Sequence, residues 1–373
     1  MLFPSDPRVV RLSLLAALAC SACTPQRQAN GALHLLSAPV HAGDVSAPWW
    51  TASGDPVLDH LTAEALGREP APVCAAPHGT FGQRLVRVFH GERAARVEAA
   101  AQAWDKAGAR LTQARDIGLA YLRARAWQAR LAERMASEAA IRDNGEIAHF
   151  RREAGLVPGL DEDMAGIMVG LASSDLDGAR AGLDRALAEL ARLTGKTQAD
   201  LRTLLETGQG AGIAVVADRA GDVDRDAPIE VGGRPDLHAL EMRTLARRDV
   251  RHLDAAALQK QIASPTQPWA AQWVQALAGA QDAVRKDRGD LADAQVLHRD
   301  REDVVNRADK ALANARLAYR NGMAAFSTLY VAEAAGLAAR EARVESLRAI
   351  GEASVQLWTD EGRGEVPGGA PCD

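Results

Sequence analysis

Two long stretches of helical periodicity, each followed by a glycine-marked reversal, constrain this chain more than any other feature. From about Gly91 to about Ala154, apolar and small residues recur at alternating spacings of four and three: Val97, Ala101, Trp104, Gly108 and Leu111. That rhythm lays one narrow seam along a helix, as in a coiled coil. The run breaks at Glu153–Asp161, where Gly155, Pro158 and Gly159 predict a tight reversal. A return helix is expected from about Asp161 to Leu193, interrupted near Ser173-Ser174-Asp175 and capped by Gly195. The second stretch runs from about Ala270 to Tyr319. In it Leu297, Val304, Ala311 and Ala318 step by seven, with Ala308 and Ala315 interleaved. It turns around Gly322 and returns to about Trp358. The fold class expected is all-α, with elongated helical hairpins and coiled coils in two duplicated halves. An aromatic content of only 4% suits close-packed helices better than a sandwich or barrel.

The remaining segments divide the chain further. Arg8 and Arg11 precede a short apolar core, Leu12–Ala19, which is too short to span a bilayer and reads as a secretory signal. Residues 1–22 are taken as that signal, 23–47 as a polar tether, 48–206 as the first helical half and 207–233 as a linker. Residues 234–360 form the second half and 361–373 a Gly/Pro tail. The net charge of −5 is mild, which argues against a nucleic-acid partner, since a general nucleic-acid binder would normally show a basic face. Gly208–Gly212 lacks the Gly-Lys-Ser/Thr of a phosphate loop, and Asp222–Asp226 lacks the glycine and closing glutamate of a calcium loop. The scattered histidines form no helical His-x-x-x-His pair, and there is no Gly-x-Ser-x-Gly elbow. No enzyme activity, metal or cofactor is expected.

Two short motifs mark helix starts. Asp55-Pro56 begins a helix that carries Leu58, Leu61 and Ala65 on one face, just after Trp49 and Trp50. In Arg234-Pro235-Asp236-Leu237-His238-Ala239-Leu240-Glu241, Pro235 suits a first helical position and Asp236 places negative charge in the first turn. As strings, both resemble signatures of the TolC/OprM-like outer-membrane efflux factors. The first, with Trp50, Asp55 and Pro56, is similar to the family's W-W-x-x-F-x-D-P-x-L opening. The second, with Arg234, Pro235, Asp236 and Glu241, is similar to the R-P-D-aliphatic-x-x-A-E that opens its second half. Thr80–Arg84, Leu193–Gly195 and Tyr319–Ser327 resemble further family segments. At the last of these, the family's serine is either replaced by Ala325 or shifted to Ser327.

The resemblance implies an efflux component: a homotrimer whose curved hairpins enclose a conduit, working with a periplasmic adaptor protein and an inner-membrane pump. The adaptor-facing tip would comprise Gly155, Leu156, Asp161, Arg320, Gly322 and Met323, although simple chain reversal explains the turns equally well. Asp161 and Asp163 would line an acidic entrance or merely favour a helix N-terminus. Ala19-Cys20-Ser21-Ala22-Cys23 resembles a bacterial lipobox, with Cys20 or Cys23 as the acylated residue anchoring the chain at the outer membrane; an ordinary signal peptide cut later is the alternative. Cys74 and Cys372 would then remain, as a disulfide in an oxidising periplasm or as two free thiols.

One departure stands out. The family's barrel hairpins need strands of about nine to eleven residues of alternating pattern. The stretch between Leu66 and Phe81 holds fourteen residues with three prolines, and the break at Ser264–Trp269 is shorter still. Two readings follow: a helical efflux conduit with little or no barrel, or a barrel-less structural or regulatory lipoprotein without transport activity.

Overall fold

In a computed structural model, described over residues 47–67, 81–156, 159–208 and 211–367, the chain is helical and the described residues contain no strand. The helices are α1 (Trp49–Ala52), α2 (Pro56–Leu66), α3 (Phe81–Glu153), α4 (Gly159–Thr194), α5 (Gln198–Thr207), α6 (Ile213–Arg219), α7 (Pro235–Ala246), α8 (Ala255–Ala263), α9 (Pro268–Arg320) and α10 (Phe326–Asp360). Several expectations are corrected. Helix α4 continues through Ser173-Ser174-Asp175, because all three side chains face outward or sideways and none is pulled into a local turn. The helix expected from Pro235 to about Ile262 breaks between α7 and α8, where Asp254 caps the restart by accepting from the Ala257 N–H at 2.8 Å. The segment between Thr207 and Arg234 contains α6, whose Ile213 and Val216 are buried.

Contacts divide the chain into two compact units, each drawing on both sequence halves. Among the described residues, the smaller draws on Ala75–Asp105 and Pro235–Gly279, and the larger on Val45–Cys74, Lys106–Arg234 and Ala280–Asp373. In the smaller, Val250, Leu258, Trp269 and Ala270 form a core. Trp104 stacks on His238 with ring centroids 4.1 Å apart. Arg243 bridges Glu98 (3.3 Å) and Asp105.

In the larger unit, α3 and α4 form one antiparallel hairpin and α9 and α10 another. Gly182 of α4 has no side chain because a Cβ there would lie 2.6 Å from the Trp127 ring of α3. The hairpins join through α3 and α10, which meet in one antiparallel register, marked by ion pairs seven and then four residues apart. Arg123 faces Glu352 (3.4 Å), Arg130 faces Glu345 (2.7 Å) and Arg134 faces Glu341 (2.5 Å). Further along, buried Asn144 donates to Glu333 at 3.2 Å, and Arg316 of α9 closes on the same carboxylate at 2.7 and 2.8 Å. Glu333 is 2% exposed, so this carboxylate depends on its partners. The seam of α9 differs from the expected one. Leu297 is 44% exposed, and the buried series is Leu291, Val305, Leu312 and Tyr319, with His298 between. The two series lie one residue apart, and the larger side chains won the core.

Asp55 organises the other end of this unit. Its Oδ1 accepts from the N–H groups of Val57 (2.9 Å) and Leu58 (3.0 Å), capping α2. Its Oδ2 accepts from the Tyr121 hydroxyl at 2.6 Å and the Gly212 N–H at 2.9 Å. Arg125 extends the network, donating to the Tyr121 hydroxyl at 2.9 Å and to the Leu205 carbonyl at 2.7 Å. Burial and the Asp55 charge hold the Tyr121 phenol above its ordinary pKa. Nearby, Trp49 stacks on Trp358 with centroids 6.1 Å apart, and its backbone N–H donates to the Arg363 carbonyl at 3.0 Å.

A second anchorage joins the linker to the end of α10. Gly362 has φ +77°, and a Cβ there would meet the Gly233 carbonyl carbon at 2.3 Å. Arg234 donates to the Asp360 carbonyl at 3.2 Å and approaches its carboxylate at 3.4 Å. Asp287, 5% exposed, shares a hydrogen bond with Asp360; burial, then that neighbour, pushes its pKa up to about 7.

Two predictions follow from these anchorages. Asp55→Ala removes a cap and strands the Tyr121 hydroxyl and the Gly212 N–H, so it should cost about 3 kcal/mol in urea unfolding, against about 1 kcal/mol for Tyr121→Phe. At Asp287 the folded chain favours the neutral carboxyl, so its destabilising effect is absent below the ordinary carboxyl range, grows as pH rises from there to about 7, and is complete above that. Asp287→Asn should therefore raise the melting temperature at pH near 8 and change it little at pH near 4; equal gains at both would refute the assignment.

Candidate functional site

The end of the larger unit where both hairpins reverse is the most distinctive surface. Each turn is built by the same backbone chemistry. At the first, Gly155 has φ +71°, its N–H donates to the Arg152 carbonyl (2.8 Å), and the Leu156 N–H reaches the Arg151 carbonyl (2.8 Å). At the second, Gly322 has φ +72°, its N–H donates to the Tyr319 carbonyl (3.0 Å), and the Met323 N–H reaches the Ala318 carbonyl (2.8 Å). Both are Schellman motifs, in which a glycine adopts the left-handed conformation and satisfies the last helix carbonyls. The residue after the glycine usually packs back on the helix. Here it does not: Leu156 is 69% and Met323 73% exposed.

The structure brings the two turns together. Arg151 of α3 donates to the Tyr319 carbonyl at 2.8 Å, with its guanidinium 5.0 Å from the Tyr319 ring centroid. Beneath them, Ala148 and Ala165 of the first hairpin pack with Leu312, Tyr319, Phe326 and Leu329 of the second. The exposed rim adds Phe150 and Leu160 to Leu156 and Met323. Charge surrounds this apolar rim: Arg320 is exposed, Asp161 half-buried and Asp163 exposed. Glu162 accepts from Arg152 and pairs with the His149 ring at 2.7 Å, while Glu153 lies 3.5 Å from the other His149 nitrogen. That hydrogen bond to Glu162, then the Glu153 charge, raises the His149 pKa above its ordinary value. Ala325 occupies the N-cap of α10 and offers no side-chain cap.

The six tip residues read from the sequence therefore sit at this end. Arg151, Tyr319 and Phe150, which hold and extend it, were not singled out for that role. Arg151 lies within an arginine-rich run, and nothing in its local spacing distinguishes a residue that crosses to the other hairpin. The motif residues serve as scaffold. Trp50 is 3% exposed, Asp55 is the hub described above, Pro56 opens α2, and Arg234 binds the end of α10. Pro235 opens α7, Asp236 lies in its first turn, and Glu241 is 3% exposed. Cys20, Cys23, Cys74 and Cys372 lie outside the described residues. Among the described residues no group of three or more His, Cys, Asp or Glu is placed to hold a metal, and no helix is long and apolar enough to cross a membrane.

The His149 cluster predicts a pH response. A raised folded pKa means that the protonated pair adds stability fully below the ordinary histidine pKa and loses it as pH rises through the folded value. NMR titration should place His149 above about 6.5, and Glu162→Gln should lower it; an unchanged value in the variant would show that Glu162 is not the cause.

Neither protein-family models nor curated protein sequences match the chain. Solved structures do. The CmeC outer membrane channel of Campylobacter jejuni superposes with a TM-score of 0.62 at 12% identity, over 91% of this chain and 93% of that one. The outer-membrane channel OprN gives 0.60 at 15% identity, over 86% and 93%. The outer membrane protein VceC of Vibrio cholerae gives 0.58 at 17% identity, over 85% and 98%. The chain thus has the fold of the TolC/OprM-like outer-membrane efflux channels, seen in their helical hairpins and, among the described residues, without a barrel strand.

Proposed function

We propose that this protein is a helical component of an efflux conduit, docking through its paired turns onto a periplasmic adaptor that serves an inner-membrane pump. The observation that carries the reading is the twin-turn end: two Schellman turns from opposite sequence halves lie side by side and each presents an exposed apolar residue, Leu156 and Met323. An apolar patch rimmed by charge suits a protein partner. The likeness in fold to outer-membrane channels supports the same reading. Exposed Leu297 and Leu317 on α9, with Ile167 and Leu171 on α4, provide faces for packing between copies in a homotrimer. Acylation at Cys20 or Cys23 would hold the assembly at the outer membrane, with residues 23–47 as the tether.

A second reading has one observation in its favour. Helix α8 ends at Ala263 and α9 begins at Pro268, so the second half has no room at that point for a membrane-spanning hairpin. On this reading the protein is a barrel-less structural or regulatory lipoprotein. The corresponding part of the first half, residues 68–80, lies outside the described residues.

In-cell crosslinking from Met323→Cys should capture a periplasmic adaptor, and adding Leu156→Asp should reduce capture at least tenfold; no adaptor adduct from either turn would overturn the docking. Planar-bilayer conductance, with oligomeric mass measured on the same sample, separates the two readings. Trimers with discrete conductance steps support a conduit that itself crosses the membrane. Silent bilayers support the barrel-less component.

A further inference from the structure

Away from the turns, a cleft opens in the larger unit between α3, α4 and α10. Its volume is about 510 Å³, within the usual range of about 300–1,000 Å³ for small-molecule sites. The floor is apolar: Ala126, Trp127, Gly182 and Ala186. The walls carry Arg123, Arg130, Arg185 and Arg348, with Glu189 and Glu345.

The charges do not cancel. Arg123 pairs with Glu189 (3.2 Å) and Glu352 (3.4 Å), Arg130 with Glu345 (2.7 Å), and Arg348 with Glu345 and Glu352. Four guanidiniums thus face three carboxylates. Arg185 is the surplus: its Nε donates only to the Ala181 carbonyl, at 3.2 Å, and no carboxylate among the described residues lies within ion-pair distance. The Nε of Arg130 is sealed inside the wall, out of reach from the cleft. Trp127 fixes this wall, since Gly182 covers one part of its ring and the Arg130 guanidinium lies 5.2 Å from its centroid.

We propose that the cleft is a binding site for an amphiphilic organic anion, with its single charge on Arg185 and its apolar body over Ala126, Ala186 and the edge of Trp127. A carboxylate, sulfonate or phosphate monoester group would neutralise the surplus charge, and a neutral molecule of the same shape would leave it unmet. The inference does not rest on the conduit reading, and its test does not involve the turns.

The test uses the purified full chain and two dyes that share one aromatic body, 8-anilinonaphthalene-1-sulfonate and the uncharged N-phenyl-1-naphthylamine. The sulfonate should bind saturably at one site per chain, more tightly than the neutral dye, and weaken as salt is raised. Arg185→Gln should lower its affinity about tenfold, as expected for losing one charge-assisted hydrogen bond, without changing that of the neutral dye. Arg185 is exposed, so the fold should persist, and circular dichroism checks this. Arg185→Glu should abolish sulfonate binding. Equal affinity for both dyes, no saturable binding, or sulfonate binding indifferent to both substitutions would overturn the proposal.

Discussion

The register between α3 and α10 is the constraint on which the larger unit depends. Each helix already has a hairpin partner, α4 for one and α9 for the other. Fixing α3 against α10 therefore fixes four helices at once, and with them the level of both turns. The arginine–glutamate pairs stepping by seven and then four along this seam are individually modest, because most are partly exposed. Their value lies in discrimination. A slip of seven residues shifts one helix by about 10 Å along the other. The arginine–glutamate pattern tolerates such a slip in part. The buried Asn144–Glu333–Arg316 cluster does not, since it occurs once and would leave a carboxylate uncompensated in the core.

With that register set, the turns need no precise loop chemistry to meet. Each is an ordinary glycine-capped helix end. Arg151 can cross to the Tyr319 carbonyl only because the two helix ends arrive side by side. The site is thus a consequence of packing some distance away. The same packing opens the arginine-lined cleft, where Gly182 lets α4 close on Trp127 while longer side chains hold the walls apart.

Much of this was legible in the sequence. The two glycine turns, the helix starts at Asp55-Pro56 and Arg234-Pro235 and the cap at Gly195 rest on local rules, and each appears where those rules place it. What failed was of two kinds. The stripe through Leu297, Val304, Ala311 and Ala318 is periodic, but so is the neighbouring stripe through Leu291, Val305, Leu312 and Tyr319. Period alone does not choose between adjacent stripes; side-chain volume does. The second kind is tertiary. Nothing near Tyr121 or Arg125 in the chain announces that they complete the environment of Asp55, and nothing near Arg151 announces Tyr319, because the partners are far apart in sequence. The break after α7 was hidden by a run that looks helical residue by residue.

The joining of Trp49 to the chain's far end has a mechanical meaning. Its ring lies on Trp358 and its backbone N–H is held by the Arg363 carbonyl, so the start and finish of the larger unit's fold are fastened to each other directly. A pull applied between the two termini would be borne at that clasp, and the long hairpins would stand outside the load path until it gave way. Traction on the N-terminal segment would then leave the geometry of the paired turns undisturbed.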